Sequence, residues 1–207
     1  MAYTTIYNDP YARAKYIEPW VYWDDAFTEE ELEKIVSYCE SFELSYGTTI
    51  NTSDKEEVEK HRVSDVKFHG RNDDTAWIFD RLNFVIQAIN EKFYNFNLNG
   101  YAQFQYTTYD SKKSGHYDWH MDMATGSGLT NGNELEYRKL SLTLLLNDTF
   151  KGGEFCVNLG SEDNCAVTPL KKGRIILFPS FMNHKVAPVT MGIRRSLVVW
   201  VVGPKFT

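Results

Sequence analysis

The chain has 207 residues, of which 43% are hydrophobic and 15% aromatic, and its formal net charge is −6. A chain of this length and composition predicts one globular domain, or two small ones, with a core large enough to be stable. The acidic balance argues against a general nucleic-acid binder, which carries a basic face, and no apolar run is long enough for a membrane-spanning helix.

Three cysteines, Cys39, Cys156 and Cys165, form neither an even-numbered framework nor a CxxC motif. This pattern predicts reduced thiols in a cytoplasmic protein, with at least two of the three as ordinary core residues. The polar and aromatic N-terminus lacks the apolar segment of a signal peptide, which favours the same location.

A capping box opens the first predicted helix. Thr28 is placed to accept the amide hydrogen of Glu31, whose carboxylate can return to the backbone of Thr28. The apolar spacing that follows predicts an amphipathic helix to about residue 42. Before it, residues 1–16 predict an arm lying on the body, and residues 19–23 a short strand.

Polar and charged residues fill positions 45–61, which predicts a loop; a solvated linker and a mobile lid are equally good interpretations. Residues 62–69 alternate between polar and apolar and predict a strand. A second helix is predicted from Asn72 onward. Its apolar residues share one stripe, which is typical of a core face rather than a cofactor site, namely Ile78, Leu82, Val85, Ile86, Ile89 and Phe93.

From residue 100 onward the chain predicts a succession of short strands separated by Gly, Asn, Asp and Pro. Eight strands after two helices favour a mainly β, α+β fold: a jelly-roll or cupin-like double-stranded β-helix with the two N-terminal helices buttressing one sheet. The Gly- and Asn-rich residues 124–137 predict a flexible loop. The predicted strands lie at 101–109, 116–122, 139–147, 153–158, 165–168, 173–178, 184–189 and 194–202.

A candidate metal site begins with His120 and Asp122. In an extended strand, side chains at positions i and i+2 leave the same face, so both can bind one ion. His184 supplies a third candidate ligand. Two histidines and one carboxylate form the facial triad of non-haem Fe(II) oxygenases, which leaves three coordination positions open. An HxD tripeptide alone is more often part of a polar surface strand.

Arg194 follows His184 by ten residues, inside an otherwise apolar strand. The turn-rich segment 186–192 lets the chain reverse and bring Arg194 back beside the metal. A guanidinium fork suits a carboxylate, and Ser196 points the same way along the strand. An internal charge needs an anionic partner, which is either a bound carboxylate or an Asp or Glu on a neighbouring strand.

Together these residues resemble the 2-oxoglutarate- and Fe(II)-dependent dioxygenases, and within them the prolyl 4-hydroxylase-like, or PKHD-type, family. The resemblance covers about residues 100–203, half of the chain. The resembling segments occur in the family's order and are Tyr109, 117–122, 138–141, 152–155, 178–180, 184–189, 192–196 and Trp200.

The resemblance implies roles for the matched positions. The iron ligands would be His120, Asp122 and His184. Arg194 would bind the distal carboxylate of 2-oxoglutarate with help from Ser196. Many prolyl hydroxylases have lysine at the arginine position, so this arginine fits a bacterial or phage-like branch.

Tyr109 would donate its hydroxyl to the cosubstrate, with Tyr106 as a competing candidate. The interval from Tyr109 to His120 is longer than usual for the family, which leaves this assignment open. The segment 152–154 would form a turn that leads into a strand.

The resemblance also implies an enzyme that uses Fe(II), 2-oxoglutarate and O2, with ascorbate as a reductant, and releases succinate and CO2. Residues 1–207 would form a single domain, with 1–98 as a helical support region and 99–207 as the catalytic core. The favoured partner is a protein or peptide with a proline residue to be hydroxylated, and neither a membrane nor a nucleic acid is expected.

Two other functions stay open. One is the same chemistry on a free amino acid, another small molecule or a nucleobase. The other is a non-enzymatic, cupin-like module that binds a metal or a sugar. Open loops at 45–61 and 124–137 suit a groove for an extended peptide, whereas an enzyme for small molecules more often has a closed pocket.

Overall fold

A computed structural model describes residues 18–49, 54–123, 129–131, 134–161 and 164–205 of the chain. Two antiparallel sheets form its body. The arm predicted at residues 1–16 lies outside the described residues. Among the helices of the described part, none is long and apolar enough to cross a membrane.

The described part of the chain contains three α-helices, a short 3₁₀ helix at Ser111–Lys113 and fourteen strands. The helices are α1 (Glu29–Glu40), α2 (Lys55–His61) and α3 (Ala76–Ile89), and α3 continues into a π-helical turn at Asn90–Tyr94. The strands are β1 (Val21–Trp23), β2 (Ser45–Tyr46), β3 (Arg62–Val63), β4 (Asp65–Gly70), β5 (Gln103–Asp110), β6 (His116–His120), β7 (Leu129–Asn131), β8 (Glu134–Leu145), β9 (Phe150–Gly152), β10 (Phe155–Ser161), β11 (Asn164–Val167), β12 (Ile175–Pro179), β13 (His184–Val186) and β14 (Val189–Gly203).

The larger sheet has the strand order β1-β12-β8-β14-β5-β4-β2, with β7 paired to β8 and β9 paired to β14. The smaller sheet has the order β11-β10-β13-β6-β3. Helices α1 and α3 occupy the two segments predicted to be helical. Their apolar stripes, including Ile35 and Leu82, pack in one core with Leu142 and Val199 of the larger sheet. The opposite face of that sheet is therefore left to line a site between the sheets.

The loop predicted at residues 45–61 is wrong at 45–46 and 55–61, whereas residues 47–49 lie outside any helix or strand. Ser45–Tyr46 pairs with β4, and residues 55–61 form α2. Asp54 caps this helix, since its side chain accepts the amide hydrogen of Glu57 at 3.1 Å. Only Val58 of the helix is buried. One apolar residue produces no helical periodicity, so sequence patterning could not reveal α2. Residues 50–53 lie outside the described part.

The strand predicted at 62–69 is broken at Ser64, so that β3 joins β6 in the smaller sheet and β4 joins β5 in the larger one. Two hydrogen bonds hold the crossing point. Arg62 Nε donates to Ser64 Oγ at 2.8 Å, and the amide of Gly47 donates to the carbonyl of Ser64 at 2.8 Å. This segment therefore ties the two sheets together.

The flexible loop predicted at 124–137 is wrong where the chain is described. Leu129–Asn131 pairs with the start of β8 in an antiparallel hairpin, and residues 134–137 belong to β8 itself. The β-branched Thr130 favours a strand, but the surrounding Gly and Asn residues concealed this preference. Residues 124–128 and 132–133 lie outside the described part.

Candidate active site

The three predicted metal ligands come together at one end of the smaller sheet. His120 on β6 lies directly opposite His184 on β13. Just after β6, the amide of Asp122 donates to the carbonyl of Ser180 at 3.0 Å, which turns the aspartate toward the histidines. Asp122 Oδ1 lies 3.8 Å from His120 Nε2, and Oδ2 lies 3.6 Å from His184 Nε2. One ligand atom from each residue falls within 4.8 Å of the others.

Backbone carbonyls fix which nitrogen each histidine offers. His120 Nδ1 lies 2.7 Å from the carbonyl oxygen of Asp118, and His184 Nδ1 lies 2.9 Å from that of Met182. A carbonyl oxygen only accepts hydrogen bonds, so each Nδ1 carries the proton and donates. In the neutral ring each Nε2 then has a free lone pair, which is the arrangement that metal-binding histidines require.

Electrostatics favour a neutral His120 and an ionised Asp122. Burial, with His184 nearby, lowers the pKa of His120 to about 3, although Asp122 partly opposes the shift. Burial alone would raise the pKa of Asp122, but His184, His120 and a hydrogen bond from Ser141 outweigh it and lower the pKa below its ordinary value. A neutral imidazole and an ionised carboxylate are the forms that bind metal. The donor set therefore fits one divalent ion.

The ligands open into a cavity of about 260 Å³ between the two sheets. Strand β14 lines it with residues at every second position, namely Arg194, Ser196, Val198 and Trp200. Alternate strand residues share one face, so the sheet geometry carries all four side chains to the same cavity.

Arg194 is buried, and the described segments of the chain offer it no charged partner. Only 2% of its surface is exposed, and Nη1 donates to Ser196 Oγ at 3.1 Å. Its Nε has no partner among the described residues, none of whose acids forms an ion pair with Arg194. Burial lowers the pKa of this guanidinium, and Tyr109 partly offsets that effect. A structural salt bridge within the described residues therefore does not explain this charge, and Arg194 lines a cavity able to receive an anion.

Gly153, which directly follows β9, makes room for Arg194. Both Gly152 and Gly153 have positive φ angles, 73° and 67°. A Cβ added to Gly153 would lie 2.9 Å from Cδ of Arg194. The turn expected at 152–154 thus has a second effect, because it leaves space for the arginine stem.

Tyr109 and Tyr106 lie on opposite faces of β5. Tyr109 lines the cavity, with its ring centroid 5.6 Å from Cζ of Arg194. Tyr106 packs in the helical core and donates its hydroxyl to Glu40 at 3.1 Å. Of the two candidates, only Tyr109 is within reach of a molecule bound beside Arg194.

Sequence reasoning assigned no role to Arg138 and Trp200, which form one wall of the cavity. The Arg138 guanidinium lies 4.2 Å from the centroid of the Trp200 ring, and its Nη1 donates to the carbonyl of Asp122 at 3.3 Å. The indole Nε1 of Trp200 is buried and has no partner among the described residues. The even spacing of Trp200 from Arg194 along β14 was the signal that could have identified it.

Arg62 forms the opposite wall and was also missed. Besides its bond to Ser64, it donates from Nη1 to the carbonyl of Thr48 at 2.9 Å. Its Cζ lies 4.7 Å from the ring centroid of Tyr117, which stacks on His120. The segment around Thr48 is thereby fastened over the site. No local pattern could predict this contact, because it joins residues 14 positions apart across the sheet crossing.

Comparison with known proteins identifies the family. Residues 104–202 match the model of the 2OG-Fe(II) oxygenase superfamily. A PKHD-type hydroxylase of Rippkaea orientalis is 32% identical over 41% of this chain and 36% of its own length, and one of Synechococcus sp. (strain CC9311) is 36% identical over 44% of this chain and 38% of its own length. The matched region thus spans little more than a third of these curated relatives.

Solved structures show the same fold. A prolyl-4-hydroxylase from Pseudomonas putida superposes with a TM-score of 0.67 at 17% identity, covering 90% of this chain and 94% of its own. A prolyl hydroxylase from Trichoplax adhaerens, in complex with a hypoxia inducible factor peptide fragment, gives 0.70 at 17% identity, covering 88% and 83%. The predicted double-stranded β-helix is confirmed. Over residues 104–202 the chain is similar to the 2OG-Fe(II) oxygenase superfamily, and its core resembles that of the PKHD-type hydroxylases.

Proposed function

We propose that this protein is a 2-oxoglutarate- and Fe(II)-dependent hydroxylase that acts on a peptidyl residue, with proline as the favoured target, and releases succinate and CO2. The observation that carries the proposal is the pairing, in one cavity, of a His-Asp-His ligand set with a buried arginine that has no acidic partner in the part of the chain that the structure describes. The first suits a divalent metal, and the second suits a dicarboxylate anchored at its far end.

Each residue of the site has a defined task in this proposal. Nε2 of His120, Nε2 of His184 and the carboxylate of Asp122 hold Fe(II). Arg194 and Ser196 bind the distal carboxylate of 2-oxoglutarate, and Tyr109 lies beside them. The metal and its cosubstrate supply the oxidising chemistry when bound. The protein orients them and keeps both histidines in the tautomer that can bind metal.

The wall formed by Arg138 and Trp200 favours a substrate group that is ring-shaped and apolar. The cation stacked on the indole holds the ring in place, and proline-rich peptides bind to aromatic surfaces of this kind. Phe68, 45% exposed, extends the apolar surface outward from Trp200, with ring centroids 6.5 Å apart.

Similarity of fold does not identify the substrate. Two neighbours are described as prolyl hydroxylases, one with a bound peptide, but a third, with a TM-score of 0.64 at 12% identity, is described as an alpha ketoglutarate dependent carbocyclase from nogalamycin biosynthesis. A small-molecule substrate is therefore the second candidate, and the aromatic wall suits a flat ring of either origin.

The test is a succinate-release screen with Fe(II) and 2-oxoglutarate over proline-rich peptides, free amino acids and oligonucleotides. We expect release to depend on a peptide, and mass spectrometry to find one added oxygen atom on it. Trp200→Leu should raise the KM for the peptide while leaving binding of 2-oxoglutarate unchanged. Peptide-independent release that is stimulated by a small molecule instead would overturn the peptidyl assignment.

Binding must also be measured apart from turnover. Calorimetry with Mn(II) in place of Fe(II) should show 2-oxoglutarate binding in the wild type and in Lys67→Ala, a control on β4 outside the cavity. If 2-oxoglutarate does not bind to the metal-loaded wild type at all, the protein is a binding module rather than an oxygenase.

A further inference from the structure

Two of the three cysteines lie side by side on the outer part of the smaller sheet. Cys156 on β10 is opposite Val167 on β11, and Asn158 is opposite Cys165. Cys156 and Cys165 are thus diagonal neighbours across an antiparallel pair. Each is two positions from the other's partner, so both side chains leave the same face of the sheet. Cys39 belongs instead to the helical core.

The two thiols contact each other. Burial raises the pKa of Cys156, and the adjacent Cys165, through its charge and a side-chain hydrogen bond, adds to the effect. The two thiols differ in exposure: Cys156 is 5% exposed, whereas Cys165 is partly accessible. An oxidant from solvent therefore meets Cys165 first, with Cys156 held beneath it as a second thiol.

We propose that Cys156 and Cys165 are a redox modification site that forms a reversible intrachain disulfide when the protein meets a hydroperoxide. The Cys165 thiolate attacks the peroxide O–O bond, giving a sulfenic acid and releasing an alcohol or water. Cys156 then attacks that sulfur, forms the S–S bond and expels water. Two thiols are oxidised and one hydroperoxide is reduced, so electrons and atoms balance.

The geometry makes the bond reversible. Diagonal neighbours in an antiparallel pair stand about 7–8 Å apart, slightly farther than a relaxed disulfide allows. β11 is a four-residue edge strand, and its pairing with β10 is already irregular between Asn158 and Ser161. The edge strand can therefore shift to close the bond, and a disulfide closed in this way is strained and easily reduced.

The pair is connected to the candidate metal site through one strand. β10 lies between β11 and β13, and Val157, next to Cys156, is directly opposite His184. Fastening β11 to β10 restrains the strand that supports β13. Oxidation at the sheet edge should accordingly make local unfolding of β13, the strand that carries His184, less frequent.

Mass spectrometry of the intact chain tests the site without any measurement of turnover. After treatment with hydrogen peroxide and quenching, the mass of the chain before alkylation should be lower by two hydrogen atoms. Alkylation under denaturing conditions should then modify one cysteine in place of three. Cleavage after Glu162, which separates the two cysteines in sequence, should leave the two fragments joined until a dithiol reductant is added.

Single variants separate this pairing from general oxidation. Cys39→Ser should still form the disulfide, whereas Cys165→Ser should not, and the partly exposed position of Cys165 makes that variant compatible with folding. A disulfide that involves Cys39, a link between two chains, or separate sulfinic acids on Cys156 and Cys165 would overturn the proposal. Hydrogen exchange at residues 184–186 should slow in the oxidised wild type; unchanged exchange there would overturn the connection to the metal site.

Discussion

Backbone groups determine how the side chains of this site are oriented. The two histidines offer Nε2 because carbonyls of Asp118 and Met182 accept from Nδ1. Asp122 is the one acid among the three proposed ligands, and it is buried between the imidazoles. Removing it should therefore affect metal binding more than the fold.

Asp122→Ala should abolish succinate release and strongly weaken Mn(II) binding, because a two-histidine site lacks the charge and the third donor that hold a divalent ion. The melting temperature of the metal-free protein should change little. Calorimetry and thermal unfolding provide the measurements, with Asp118→Ala on the exposed side of β6 as the matched control. Full turnover in Asp122→Ala would remove the aspartate from the ligand set.

Arg194→Ala should raise the 2-oxoglutarate concentration required for half-maximal succinate release by about ten- to a hundredfold, the equivalent of roughly 1.5–3 kcal/mol for a lost charge-assisted hydrogen bond. Arg194→Lys should be partly tolerated, since lysine keeps the charge but loses the fork. Mn(II) binding should be nearly unaffected. Arg195→Ala is the control, because Arg195 pairs with Glu40 on the other face of the sheet. Lower stability with an unchanged 2-oxoglutarate requirement would make Arg194 structural.

Gly153→Ala should also raise the 2-oxoglutarate requirement, because the new methyl group lies within 2.9 Å of Cδ of Arg194 and must displace it. The positive φ of 67° adds backbone strain of about 1–2 kcal/mol. Gly160→Ala separates the two effects, since Gly160 has a positive φ but no atom within 4 Å of an added Cβ. Equal 2-oxoglutarate requirements in both variants would contradict the steric role.

Sequence alone could identify residues whose role follows from spacing along one strand or from a family motif. His120, Asp122 and Arg194 are of this kind, although the roles assigned to them still stand as predictions. Arg62 could not be found this way, because it reaches the cavity only through the crossing between sheets at Ser64. Its partner, the Thr48 carbonyl, belongs to a different element altogether.

At the scale of elements, α2 is informative because seven residues are too few for a helix to be stable alone. It depends on the Asp54 cap and on burial of Val58, which is 1% exposed. β3 follows directly and carries Arg62. The stability of this short helix therefore determines how firmly one wall of the cavity is held. Whether segments 45–61 and 124–137 close over a substrate stays a prediction.

Val58→Ala should lower stability by about 2 kcal/mol, from the loss of two buried methyl groups and the space they leave. Hydrogen exchange across residues 55–63 should speed up more than in α1, and the KM for a confirmed substrate should rise. Glu56→Ala, on the exposed side of α2, should show neither change. Uniformly faster exchange over the whole chain would mean that α2 is not an independent unit.

At the scale of the whole molecule, the order of helices and strands predicted the architecture, but not how the first half of the chain joins it. The segment 1–98 was expected to be a helical support region with short strands at 19–23 and 62–69; in the structure β1, β2 and β4 extend the larger sheet and β3 extends the smaller one. These strands are two to six residues long. Strands so short gain their stability from long-range pairing, which a local pattern does not contain. A single domain and a cytoplasmic location remain predictions.

The junction between the helical layer and the larger sheet makes the stability of the whole fold depend on pH. His69 of β4 is 5% exposed, it lies among the rings of Tyr38, Phe42 and Phe104, and its Nε2 has no partner among the described residues. Burial, helped by the charge of Lys67, lowers its pKa below 6.5. Below pH 6.5 the unfolded chain therefore binds a proton at His69 that the folded chain does not bind. The free energy of unfolding should decrease as the pH falls from 6.5 toward the lower pKa of the folded state.

Thermal unfolding of the metal-free protein at pH values of about 7.5 and about 5.5, on either side of the ordinary histidine pKa, tests this dependence. His69→Phe keeps an aromatic ring in the same core and removes the titrating group, so its melting temperature should fall less between the two pH values than that of the wild type. His61→Asn, at an exposed position, should fall as much as the wild type. His120 contributes in the same direction, because its pKa is also lowered, to about 3. The melting temperature of the His69 variant should therefore still fall somewhat between the two pH values. An equal fall in melting temperature in His69→Phe and the wild type would show that His69 does not couple protonation to folding.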